Sequence, residues 1–219
     1  MAVSVRLRER HKEQTRELIT GTAANLFAAR GFEAVTVAEV ARAAGVSHMT
    51  VFNHFPTKED LFFAKMEFFE ERLLDAVRER DASVSPLEAF RDVVLDGCRN
   101  LVPSENADRI KRASTVIVAS PSLQVREREI VARYTQQLAE VLALESRTEP
   151  DDVEAWAVAT ALMGVHRSLV AFTRRSVLSG GRGQQLARTV RSQARRAFAR
   201  LEGGLADYGG AKASDRGRP

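Results

Sequence analysis

The chain has 219 residues, of which 44% are apolar and 28% charged, the balance of a folded globular protein rather than a disordered one. Glycine (13) and proline (6) are too sparse for a turn-rich β sandwich or barrel, and a single cysteine, Cys98, excludes an intramolecular disulfide and a thiolate zinc cluster. The net charge of +4 is unevenly spread: Lys and Arg outnumber Asp and Glu 11 to 3 over residues 174–219 but only 8 to 7 over residues 1–60, so overall basicity by itself names no partner.

In chain order, Arg6, Arg8, Arg10 and Lys12 face a single acid, Glu9, and residues 1–12 read as a flexible basic arm. From about Glu13 to Arg30, Ile19, Ala23, Leu26 and Phe27 recur at helical spacing, and Gly31 follows as a left-handed cap. Thr36 with Glu39 three residues later is a capping box opening a short helix that buries Val37, Val40, Ala41 and Ala44 and stops at Gly45. Ser47 caps a second short helix to about His54. Thr57 with Asp60 opens a long fourth helix to about Arg80, and Ser85-Pro86-Leu87-Glu88 opens a fifth. Further helices are expected over about 105–119, 121–145, 151–177 and 183–202, with Ser179-Gly180-Gly181 between the last two and Gly203-Gly204 after them. Residues 205–219 lack periodicity and read as a disordered tail. The fold class is all-α, with about nine helices.

Ala155 to Val165 is the most apolar stretch, and it runs into His166 and Arg167. It is too short to span a bilayer and reads as a buried helix. No apolar signal core follows the amino-terminal arginines, so no membrane association and a cytoplasmic location are expected.

Two short helices joined at Gly45-Val46-Ser47 are what a helix-turn-helix requires. Glycine permits the turn, Val46 plugs the angle between the helices, and Ala41 and Ala44 let them approach closely. Phe27-Ala28-Ala29-Arg30-Gly31-Phe32, Thr36 to Ala41, Gly45-Val46-Ser47 and Thr50 to Leu61 together resemble the TetR family of transcriptional regulators over residues 13–64. The resemblance implies a three-helix DNA-binding domain (residues 13–60) on a larger helical ligand-binding and dimerisation domain (residues 61–204). It further implies a repressor that binds a near-palindromic DNA operator as a homodimer and leaves it when a small-molecule effector binds. On the positions that match, Thr36 and Lys58 are phosphate contacts, and residues 48–54, Met49 and His54 among them, form the helix that enters the major groove. The family's usual tyrosine is here Phe52, which has no hydroxyl to offer a phosphate.

The chemistry of the residues agrees. Ser47, Thr36, Thr50 and Lys58 are short donors or a cation near helix starts, where phosphates are favoured. His48, Thr50 and Asn53 can meet base edges; asparagine suits adenine, and a threonine methyl suits thymine. Asn53 and His54 are also compatible with a merely solvated helix face, the arm with simple disorder, and Phe52 and Phe55 with core packing. His48 and His54 lie six apart, on different helix faces, which disfavours a metal pair.

In the larger domain, apolar surroundings with isolated polar groups single out Arg112, Tyr134, Trp156, His166 and Arg167 as candidates for an effector pocket. The arginines suggest a hydrophobic effector with an anionic group, such as an acyl-CoA or an aromatic acid. For His166 and Arg167 a satisfied core or interface pair is the competing reading. The last two helices are expected to pair with their symmetry copies. No phosphate loop, nucleophile elbow or metal-ligand spacing is present, so neither an enzyme nor a cofactor is expected. A helical protein-interaction module without DNA binding, or an activator of the same fold, are the alternatives.

Overall fold

The computed structural model describes residues 2–204 except 148 and 150. Among these residues the structure is entirely helical: α1 (Ala2–Arg30), α2 (Val37–Ala43), α3 (His48–His54), α4 (Lys58–Arg78), α5 (Pro86–Gly97), a 3-10 turn (Cys98–Leu101), α6 (Ser104–Ala119), α7 (Pro121–Ser146), α8 (Val153–Leu178) and α9 (Gly183–Glu202). The all-α expectation and its element bounds hold to within a few residues, α1 excepted. The expected tail, residues 205–219, lies outside the described residues.

The flexible arm is corrected. Helix α1 begins at Ala2 rather than near Glu13. No glycine or proline interrupts residues 2–20, and Arg, Leu, Glu, Lys and Gln are strong helix formers, so the helix nucleated by the packed turn at Ile19 and Ala23 propagates outward. Residues 10–14 are exposed on this extension.

Local chemistry sets the helix starts. Thr36–Glu39, Thr57–Asp60 and Ser85–Glu88 form reciprocal capping boxes, and Ser47 accepts from the Thr50 amide. Gly31 ends the packed part of α1 at φ +81°, its amide donating to the Phe27 carbonyl at 2.9 Å. Gly45 takes φ +68° in the bend between α2 and α3.

The rings of Phe27, Phe32 and Phe62 cluster with centroids 5.1–5.8 Å apart and seat α1 against α4. Val40, Ala41, Val51, Phe55 and Leu61 complete this small core. Helix α4 then continues into the larger bundle, where Leu73, Leu74 and Val77 are buried and α4 packs on α5 and α7. Two polar bridges tie the units together. Ser120 Oγ donates to Glu33 at 2.6 Å, and Arg126 Nη2 donates to Asp60 at 2.6 Å, so Asp60 caps α4 with one oxygen and holds α7 with the other.

By length and composition α8 is apolar enough to cross a membrane, more so than its Ala155–Val165 stretch suggests. In the fold it packs against α6, α7 and α9 through Leu162, Met163 and Leu169, but only 33% of its apolar window is buried, so the expected buried helix is buried on one face only.

Candidate nucleic-acid interface and ligand cavity

Helix α3 is anchored by one face and free on the other. Val51 is buried beneath it and Phe55 closes its end, with the Arg16 guanidinium 4.6 Å over the Phe55 ring. The opposite face carries His48, Met49 (66% exposed), Phe52 (40% exposed) and Asn53. Phe52 is therefore a surface residue, not core. Its ring meets His48 edge-on at 4.6 Å, which orients the imidazole on the outer face. The capping Ser47 hydroxyl also shares a 2.7 Å hydrogen bond with the Thr50 hydroxyl, fixing Thr50 at the first turn.

Three of the candidate residues are engaged within the chain. His54 is half-buried against α1: its carbonyl accepts from Arg16 at 3.3 Å and its Nδ1 is buried without a partner among the described residues. Burial, followed by the charges of Arg16 and Lys12, holds its pKa below the ordinary 6.5, so this imidazole favours the neutral form. The Thr36 hydroxyl is spent on Glu39 at 2.9 Å, and Arg30 pairs with the same carboxylate at 2.8 Å. The Thr36 amide foremost, with Arg30 second, lowers the Glu39 pKa to about 2. The Lys58 ammonium donates to the carbonyls of Phe32 (3.0 Å) and Val35 (3.2 Å) and sits 4.1 Å over the Phe32 ring. It closes the α1–α2 turn and has one N–H left to offer.

A cavity of about 440 Å³ lies between α4, α6, α7 and α8. Met66, Ile117, Val131 and Val170 form its apolar wall. Glu70, His166 and the bidentate Glu127–Arg174 pair supply its polar groups, with exposed Arg128 at the side. Glu70 is 2% exposed and His166 is buried; their closest atoms, Oε1 and Nε2, are 3.5 Å apart, and the imidazole stacks on Phe69.

The sequence profile of the bacterial regulatory proteins of the tetR family matches residues 19–64, and that of the MftR C-terminal domain matches residues 84–206. The second alone covers more than half of the chain. This chain belongs to the TetR family. It is a helix-turn-helix transcriptional regulator, and the likeness extends through both units. MftR of Mycobacterium tuberculosis, described as a mycofactocin biosynthesis transcriptional regulator, is 26% identical over 156 residues, which span 71% of this chain and 78% of that protein. The transcriptional regulator TcmR of Streptomyces glaucescens is 36% identical over 84 residues, 38% of this chain and 37% of its own length. Among solved structures, NalD, the secondary repressor of the MexAB-OprM multidrug efflux pump in Pseudomonas aeruginosa, superposes with a TM-score of 0.56 at 20% identity, covering 91% of this chain and all of that one. Thermus thermophilus FadR, a TetR-family repressor in complex with lauroyl-CoA, gives 0.51 at 23% identity over 90% of this chain and 98% of that one.

Within this TetR fold the five pocket candidates separate. His166 and Arg167 line the cavity. Tyr134 is buried at the α4–α7 contact, its hydroxyl donating to the Glu67 carbonyl at 3.2 Å, while Arg112 is exposed on α6 and Trp156 is 37% exposed on α8. None of these three belongs to the cavity lining. The missed residues are Glu70, Glu127, Arg128 and Arg174. Their only signal in the sequence is charge inside helices rich in apolar residues, which many solvated positions share.

Proposed function

We propose that the chain is a homodimeric repressor that reads DNA with the outer face of α3 and is released by a hydrophobic, anionic effector bound between α4, α6, α7 and α8. The carrying observation is the outer face of α3 itself: His48, Met49, Phe52 and Asn53 stand exposed on a helix whose opposite side is locked by Val51 and Phe55. A helix fixed in this way can enter a major groove without ordering cost at the moment of binding. His48 and Asn53 are the base-reading residues, with Thr50 and Met49 beside them. Ser47, Thr36 and Lys58 position the helices on phosphates, Lys58 and Thr36 chiefly by shaping the turns and His54 by bracing α3 on α1. The exposed Trp156 and Val158 of α8 support dimerisation through α8 and α9, by which each subunit meets one half-site.

The contacts around α7 support a route from ligand to DNA. Glu127 and Arg128 border the cavity, and their neighbour Arg126 grips Asp60 at the start of α4, directly after α3. An effector that shifts the start of α7 thereby tilts α3. The apolar wall with Arg128 beside it suits an acyl chain with an anionic group, and the lauroyl-CoA complex of the Thermus thermophilus neighbour gives that class support.

The test is a gel-shift titration against the promoter beside the protein's own gene. Wild type is expected to bind as a dimer; His48→Ala and Asn53→Ala should each lose about 1–3 kcal/mol of discrimination against altered operators. A monomer by light scattering, or variants that discriminate as wild type does, would overturn the reading.

A further inference from the structure

The buried end of the cavity holds an unanswered acceptor. Glu70 lines the cavity at 2% exposure, and its Oε2 has no hydrogen-bond partner among the described residues. His166 approaches only the other oxygen, at 3.5 Å. A buried carboxylate oxygen without a partner is costly, and such an oxygen is a demand for an N–H or O–H.

The cavity is polar at both ends and apolar between them. Helix α4 and helix α7 run in register, Asp60 meeting Arg126 and Glu67 meeting Arg133, so Glu70 lies further along the bundle than Arg128. On α8 the paired Arg174 stands eight residues beyond His166, about 12 Å of helix. Between the two ends lie Met66, Val131 and Val170. Arg128 and Arg167 are both exposed and in no ion pair with the described residues; Arg167 adjoins His166, and Arg128 is the cation at the end remote from Glu70.

We infer that the effector carries a hydroxyl, or an equivalent hydrogen-bond donor, on the end remote from its anionic group, and that Glu70 receives it. This rests on the cavity being the effector site, and it narrows the effector from an apolar anion to one with a donor at its inner end. A plain acyl chain would bury its terminal methyl against the carboxylate and leave the oxygen unanswered.

Calorimetric titration of the purified full chain with decanoate, 10-hydroxydecanoate and 10-methoxydecanoate tests it. The three differ in whether the inner end offers no polar atom, a donor, or an acceptor alone. Wild type is expected to bind 10-hydroxydecanoate at least about tenfold more tightly than the other two, the increment of one hydrogen bond to a charged group. Glu70→Leu should erase that gap while decanoate binding persists. Glu70→Gln, nearly isosteric, keeps an acceptor and should narrow the gap to a few-fold. Equal binding of the three acids by wild type, or a preference that survives Glu70→Leu, overturns the inference and leaves the cavity as the effector site. Binding of none of them overturns the cavity reading as well.

Discussion

The DNA-binding unit and the larger bundle are both helical, yet they are specified over very different distances along the chain. In the first, the contacts that start the helices are three residues apart: Thr36 with Glu39, Ser47 with Thr50, Thr57 with Asp60. In the second they join remote segments: Arg80 to Glu145, Arg133 to Glu67, His166 to Glu70. A motif that presents one short helix is built largely from local rules, whereas the cavity is lined by side chains that only packing brings together.

Four variants break or sharpen that contrast. The largest effect is expected from Phe27→Ala, which empties the centre of the Phe27–Phe32–Phe62 cluster; such truncations cost about 3–5 kcal/mol. Chemical denaturation measures it, and an unchanged midpoint would mean that the local caps hold the small unit without its core. Next, Lys58→Met keeps the aliphatic stem and removes two charge-assisted hydrogen bonds, for a loss of about 1–3 kcal/mol of stability. The slope of log K against log salt should change by well under about 1, and a full unit lost at intact stability would make Lys58 a phosphate contact first and a brace second.

Smaller is the gain from Phe52→Tyr. The ring is exposed, so a hydroxyl is accommodated without repacking, and one added phosphate hydrogen bond should strengthen binding to all sequences alike by about 0.5–1.5 kcal/mol. Gel shifts on operator and unrelated DNA read it; a gain confined to the operator would place this ring among the base readers. The smallest effect is a pH dependence. The Glu39 pKa is lowered from 4.5 to about 2, so the folded state resists protonation of this group. Its contribution is present above pH 4.5 and is lost as pH falls towards 2. Glu39→Gln should therefore flatten the decline in melting temperature across that acid window, and an identical decline would remove the capping box from the acid response.

The small unit is legible in the sequence because each of its signals acts within one or two turns: a cap, a glycine bend, an apolar period. The same locality misleads at Phe52, since periodicity cannot say which aromatic of a seven-residue helix faces inward once Val51 and Phe55 fill the contact. It also misleads at residues 2–12, where charge suggests disorder while helix propensity favours continuation. In the bundle, His166 and Arg167 are recognisable as polar intrusions in an apolar helix, but Glu70 and Arg128 resemble ordinary surface charges until α4, α7 and α8 are brought together.

The amino-acid order alone thus determined most helix boundaries and the bend at Gly45, because hydrogen bonds to neighbouring amides and the 3.6-residue period depend only on nearby positions. Tertiary structure decided which donors remain unspent, the end of the cavity at which a carboxylate is stranded, and the Arg126–Asp60 link between α7 and α4. Those depend on the relative placement of helices tens of residues apart, which the burial of their apolar faces settles jointly.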